Sequence, residues 1–77
     1  RGILKYVEKD EDEYRLIAEM IELRKQKGIS QTQLARTIGN RQQVISRIEK
    51  KENSPSLKMF CCILDSLGYE LKIVKKN

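Results

Sequence analysis

Glycines at 28, 39 and 68 set the places where helices can stop, and the stretches between them carry helical spacing. Glycine enters the left-handed backbone region at no steric cost, so it is the expected residue just past a helix C-terminus. Serines at 30 and 56 then mark fresh helix starts, because a serine side chain can accept from the free N–H groups of a first turn. These marks divide the chain into four helical segments.

The first segment is expected over residues 11–27. Asp10 and Glu13 are spaced as a capping box, Glu11, Asp12 and Glu13 suit the positive end of a helix dipole, and Arg24, Lys25 and Lys27 suit the other end. The second is short, residues 31–38, with Ser30 and Gln33 as a capping box and Leu34, Ala35 and Ile38 as its inward face. The third covers residues 42–50. Val44 or Ile45, with Ile48, faces inward, while Gln42, Gln43, Ser46, Arg47 and Lys50 face out. The fourth starts at Pro55 and Ser56 and runs to Leu67, with Leu57, Phe60, Cys61, Leu64 and Leu67 on one apolar stripe. After Gly68, Tyr69, Leu71 and Ile73 alternate with Glu70 and Lys72, a strand pattern. A single strand needs a partner, either residues 3–7 at the other end of the chain or the same strand of a second subunit. The expected organisation is an N-terminal arm or short strand (1–9), a helical domain (10–68), and a C-terminal strand with a basic tail (69–77).

Composition narrows the function. At 77 residues and 39% hydrophobic, the chain is one domain with a thin core. It has no His, which removes the commonest general base and metal ligand. Its two cysteines, Cys61 and Cys62, are adjacent, so they neither staple distant segments nor form a zinc site. They read as reduced residues of a cytoplasmic protein. No catalytic residues, metal or cofactor are expected, and the protein is not read as an enzyme. The longest apolar run, residues 59–64, is far short of a membrane span, and no signal peptide is evident. The chain begins with Arg1, so a trimmed start or a tag remnant is expected. Charge is uneven: residues 1–22 hold 4 positive and 7 negative side chains, and residues 23–77 hold 12 positive and 4 negative. A polyanion surface belongs in the later part.

Residues 30–49 then carry two short helices separated by a turn around Gly39, the second helix polar and free of outward acid. That is the layout of a helix-turn-helix, in which one helix braces and the next enters the major groove. Ala35 is small where the two helices must cross. On an isolated polar helix, Gln42, Gln43 and Arg47 would read as an ordinary solvated face. Inside this motif on the basic part of the chain, double-stranded DNA is the better reading.

The ordered set Gly28-Ile29-Ser30-Gln31-Thr32-Gln33-Leu34-Ala35, Ile38-Gly39, Gln42-Gln43-Val44-Ile45-Ser46-Arg47-Ile48-Glu49 and Asn53-Ser54-Pro55-Ser56-Leu57 resembles the phage repressor and Cro-type (XRE) helix-turn-helix family. The resemblance covers about residues 16–68. It implies a mainly α, four-helix repressor-like domain acting as a homodimer on a near-palindromic operator, in a bacterial or phage-encoded regulator. It places Gln42, Gln43, Ser46 and Arg47 at base edges, and glutamine pairs naturally with adenine. It places Gln31, Arg41, Lys50, Lys51 and Lys58 at phosphates, with Gln31 also bracing its neighbour. Arg24 and Glu49 take positions that pair as an inward salt bridge. Two positions depart from the family pattern. Arg41 stands where a Ser or Thr cap is usual, so Asn40 is the alternative cap. Lys51, followed by Glu52, stands where a glycine stop is usual.

Helix one carries more apolar surface than one core contact needs. Leu16, Met20 and Leu23 form one stripe, which the resemblance places in the core. Tyr14, Ile17 and Ile21 form a second stripe, read with Tyr69, Leu71 and Ile73 as a dimer or partner surface unless the N-terminal residues cover it. A fourth helix followed at once by a strand resembles the antitoxin branch of the family, in type II toxin–antitoxin operons. That resemblance implies self-repression, a toxin protein as partner, and no small-molecule effector. The alternatives are a stand-alone repressor and a protein-interaction module that has lost DNA binding.

Overall fold

Among the described residues the fold is made of four helices, α1 (Gly2–Gln26), α2 (Gln31–Thr37), α3 (Gln42–Glu49) and α4 (Leu57–Ser66). They are seen in a computed structural model that describes residues 2–75, with side chains described from Asp12 onward.

α1 starts well before the expected position. Neither Gly nor Pro interrupts the run from Ile3 to Gly28, so the helix continues unbroken through residues 3–7. Their β-prone residues are overruled, and that stretch is not a strand. Asp10 lies inside the helix and is therefore not its N-cap. Asp12 pairs with Arg15 across one turn at 3.2 Å. At the other end Gly28 adopts φ +68, and Ile29 N–H reaches Arg24 O at 3.1 Å. This closes the helix as expected.

The later helices follow their caps. Ser30 Oγ accepts from Gln33 N–H at 3.0 Å, and Gln33 Oε1 accepts from Ser30 N–H at 2.8 Å, the reciprocal box. Ser56 Oγ accepts from Met59 N–H at 3.0 Å and starts α4. Lys51 ends α3 with φ 66, the non-glycine left-handed residue among those described.

The core draws on all four helices: Ile17 and Met20, Leu34 and Ala35, Ile45 and Ile48, then Phe60, Ile63, Leu64 and Leu67. Ala35 is 2% exposed where α2 and α3 pack together. Two expected faces shift. In α1, Ile17 is core at 2% exposure while Leu16 is 41% exposed, so the inward stripe runs through Ile17, Met20 and Arg24. In α4, Ile63 is fully buried, whereas Leu57 and Cys61 are exposed. In α1 the inward stripe moves by about one residue, whereas in α4 Phe60, Leu64 and Leu67 are inward as expected and only the margin of the stripe changes. Each element carries apolar residues at adjacent positions, and only packing selects between them.

No strand occurs among the described residues. Residues 69–75 lack regular secondary structure, and the segment sought as their partner is helical. Tyr69 N–H still bonds Leu64 O at 2.8 Å, and Leu71 lies beside Leu16 and Phe60 on the α1–α4 face. No described helix is long and apolar enough to cross a membrane.

Candidate nucleic-acid interface

The turn between α2 and α3 is built from Gly39 and Asn40. Gly39 takes φ +71, and Asn40 N–H reaches back to Ala35 O at 2.8 Å. Asn40 Oδ1 accepts from Arg41 N–H at 2.9 Å, while Arg41, the N-cap residue of α3, makes no side-chain cap bond. Asn40 therefore meets part of the capping need, and the Arg41 side chain is left exposed.

α3 turns Ile45 and Ile48 into the core and leaves Gln42, Gln43 and Arg47 exposed, with Ser46 and Val44 half-buried. Glu49 is the acidic residue of this helix, and it does not face outward. Arg24 donates from Nε to Glu49 Oε2 at 2.7 Å and from Nη2 to Oε1 at 2.8 Å, with side chains only 9% and 7% exposed. The same guanidinium donates to Ile29 O at 2.8 Å. A bidentate charge-assisted pair of this kind fixes both angle and distance between two helices. The outward face of α3 is therefore free of carboxylate.

Gln31 joins this pair to the exposed face. Its Nε2 donates to Glu49 Oε1 at 2.8 Å, and its Oε1 accepts from Gln42 Nε2 at 2.7 Å. The brace expected of Gln31 takes this form. The link was invisible in the sequence, because the three partners lie on different turns of two helices.

Among the described residues, none of Arg36, Arg41, Arg47, Lys50 and Lys58 takes part in an ion pair, and all are exposed. Arg36, in the last turn of α2, is a further exposed cation that the motif reading did not single out. Lys51 is placed differently. Its ammonium lies 4.4 Å from the centroid of the Tyr14 ring on α1. Beside it, Ser54 Oγ donates to the Glu13 carboxylate at 2.7–2.9 Å. The loop after α3 is thus tied to α1, and Tyr14 has a packing role there. Of the other expected surface residues, Ile17 is buried and Ile21 half-buried. Tyr69, Leu71 and Ile73 are exposed.

Residues 20–74 match the model of the helix-turn-helix family, a span holding both α2 and α3. The chain belongs to the helix-turn-helix family. This helix-turn-helix protein is 46% identical over 59 residues to an uncharacterized HTH-type transcriptional regulator of Haemophilus influenzae, a match covering 77% of the chain and 60% of the relative. It therefore spans about 60% of that relative's length. Its fold is similar to that of a toxin–antitoxin module from Streptococcus pneumoniae, with a TM-score of 0.73 and 34% identity over 95% of this chain and 80% of that one. The repressor and Cro-type resemblance of the sequence and its leaning to the antitoxin branch agree with these findings.

Proposed function

We propose that this protein is a sequence-specific DNA-binding transcriptional repressor, and that it serves as the self-repressing antitoxin of a toxin–antitoxin pair. The observation that carries the DNA reading is the face of α3. Gln42, Gln43 and Arg47 stand exposed on it, while the helix's one carboxylate is folded into a pair with Arg24. Side chains that meet base edges need hydrogen-bonding heads and no negative charge beside the phosphates. In this reading Gln42, Gln43 and Arg47 reach base edges, with Ser46 on the margin. Gln31, Arg41, Lys50 and Lys58 hold phosphates. Lys51 would first have to leave the Tyr14 ring, so its phosphate role is secondary.

The protein acts as a homodimer that sets two copies of α3 in successive major grooves, about 34 Å apart. Support comes from apolar side chains left exposed, Leu16, Tyr69, Leu71, Ile73 and Val74 among them. The antitoxin role is supported by the likeness to the Streptococcus pneumoniae module.

Footprinting on the DNA upstream of the protein's own gene tests the reading. Two protected half-sites one helical turn apart are expected, and uniform or absent protection at low salt would reject it. Growth arrest by the neighbouring gene's product, relieved by co-expression of this chain, would separate an antitoxin from a stand-alone repressor.

A further inference from the structure

We infer that Tyr14 sets how many phosphates the protein neutralises: its ring keeps the Lys51 ammonium off the DNA backbone and so holds down affinity for every duplex alike. This rests on the reading of α3 as the helix that meets DNA. Lys51 directly follows Lys50, the exposed C-cap of α3, on a stretch where a free cation adds to phosphate binding. Its ammonium lies instead 4.4 Å from the centroid of the Tyr14 ring on α1.

The backbone there is fixed from two sides. Lys51 N–H bonds Ile48 O at 3.1 Å and Glu52 N–H bonds Arg47 O at 2.9 Å, with Lys51 left-handed at φ 66. Three residues on, Ser54 Oγ donates to the carboxylate of Glu13, the neighbour of Tyr14. Consecutive residues of α1 thus grip the loop at two points. With the backbone pinned, the Lys51 side chain is what remains free to choose a partner. Lysine carries one compact ammonium, so the ring face and a phosphate compete for it. Tyr14 touches no DNA in this arrangement. It is a positioning residue and acts through Lys51. Phosphate contacts carry no direct sequence information, so base preference is untouched. An exposed cation–π contact biases such a competition by about two- to fivefold.

The variants that isolate the effect are Tyr14→Leu, which removes the ring, and Tyr14→Phe, which keeps it. Tyr14 is 36% exposed, so either change leaves the buried core in place. Both proteins, wild type, Lys51→Ala and the double variant Tyr14→Leu/Lys51→Ala are titrated into a fluorescent random-sequence duplex across a salt series, and their melting temperatures are compared. The expected result is that Tyr14→Leu binds about two- to fivefold more tightly than wild type. Its slope of log affinity against log salt steepens by about one unit per protomer. Tyr14→Phe keeps the wild-type slope, and adding Tyr14→Leu to Lys51→Ala changes the slope no further. A merely structural role for Tyr14 would lower the melting temperature without steepening the slope. NMR of the wild-type protein gives a check that needs no variant. The Lys51 side-chain protons are expected to carry the upfield shift of a ring face, and to keep it when the duplex is added. The inference is overturned if Tyr14→Leu leaves the slope at its wild-type value, if the steepening survives in the double variant, or if the duplex abolishes the ring shift of Lys51. Failure of wild-type protein to bind any duplex at low salt would overturn the DNA reading itself and this inference with it, even with the ring shift present in the free protein.

Discussion

Arg24 and Glu49 join α1 to α3 through two hydrogen bonds of 2.7 and 2.8 Å, and this pair sits behind the exposed face of α3. Both side chains are less than a tenth exposed. Removing one partner leaves the other buried and uncompensated, which costs about 3–5 kcal/mol. Arg24→Met should therefore unfold the protein at markedly lower urea concentration. The double variant Arg24→Met/Glu49→Leu should regain much of that loss, because an apolar pair can replace a buried ionic one. Equal stability of Arg24→Met and wild type in a urea titration would show that the pair is incidental.

Packing of α4 gives a second, independent expectation. Ile63 is fully buried and Leu57 is 73% exposed, although both carry large apolar side chains. Ile63→Ala should cost about 2–5 kcal/mol. Leu57→Ala should stay within about 0.5 kcal/mol of wild type in the isolated chain. Chemical denaturation of the two variants checks the rotation of the helix, and a reversed order would mean that α4 turns its other face inward.

Lys51 holds a left-handed backbone at φ 66 while its ammonium rests over Tyr14. Glycine at this position would relieve about 1 kcal/mol of backbone strain. An exposed cation–π contact gives back about 0.5–1 kcal/mol. Lys51→Ala keeps the strain and loses the contact, so it should be destabilised, whereas Lys51→Gly should lie near wild type. Thermal melts of both variants decide the matter. A Lys51→Ala protein as stable as wild type would remove the Tyr14 contact from the account.

Phosphate contacts carry a different signature. Each lysine or arginine that neutralises a phosphate adds about one unit to the slope of log affinity against log salt. Lys50→Ala and Lys58→Ala should each weaken binding to every duplex alike and flatten that slope. Fluorescence anisotropy across a salt series measures both quantities. A loss confined to one sequence would move the residue from the phosphates to the bases.

Much of this molecule was legible in its sequence, and the reasons are local. The Ser30–Gln33 capping box, the stop at Gly39 and the inward turn of Ile48 each depend on residues within one or two turns, whereas the choice of Ile45 over Val44 beside it was open. What failed to show depends on distant partners. The choice between Leu16 and Ile17 as the inward residue rests on where α1 meets the rest of the core. Residues 3–7 carry β-prone side chains, yet without a strand to pair with they extend α1. The expected strand after Gly68 is likewise absent, since alternation alone does not supply hydrogen-bond partners. Within the interface the exposed residues of α3 were legible, whereas the chain of bonds from Glu49 through Gln31 to Gln42 was not.

The most direct measurement is a titration of 15N-labelled protein with a short random-sequence duplex at low salt, followed by backbone and side-chain amide shifts. The account predicts that the largest changes fall on Gln31, on residues 41–47 and on Lys50, with the acidic flank of α1 unmoved. Shifts gathered instead on Leu16, Leu57, Phe60 and Leu71, or no shifts at all, would contradict the claim that α3 is the face that meets DNA.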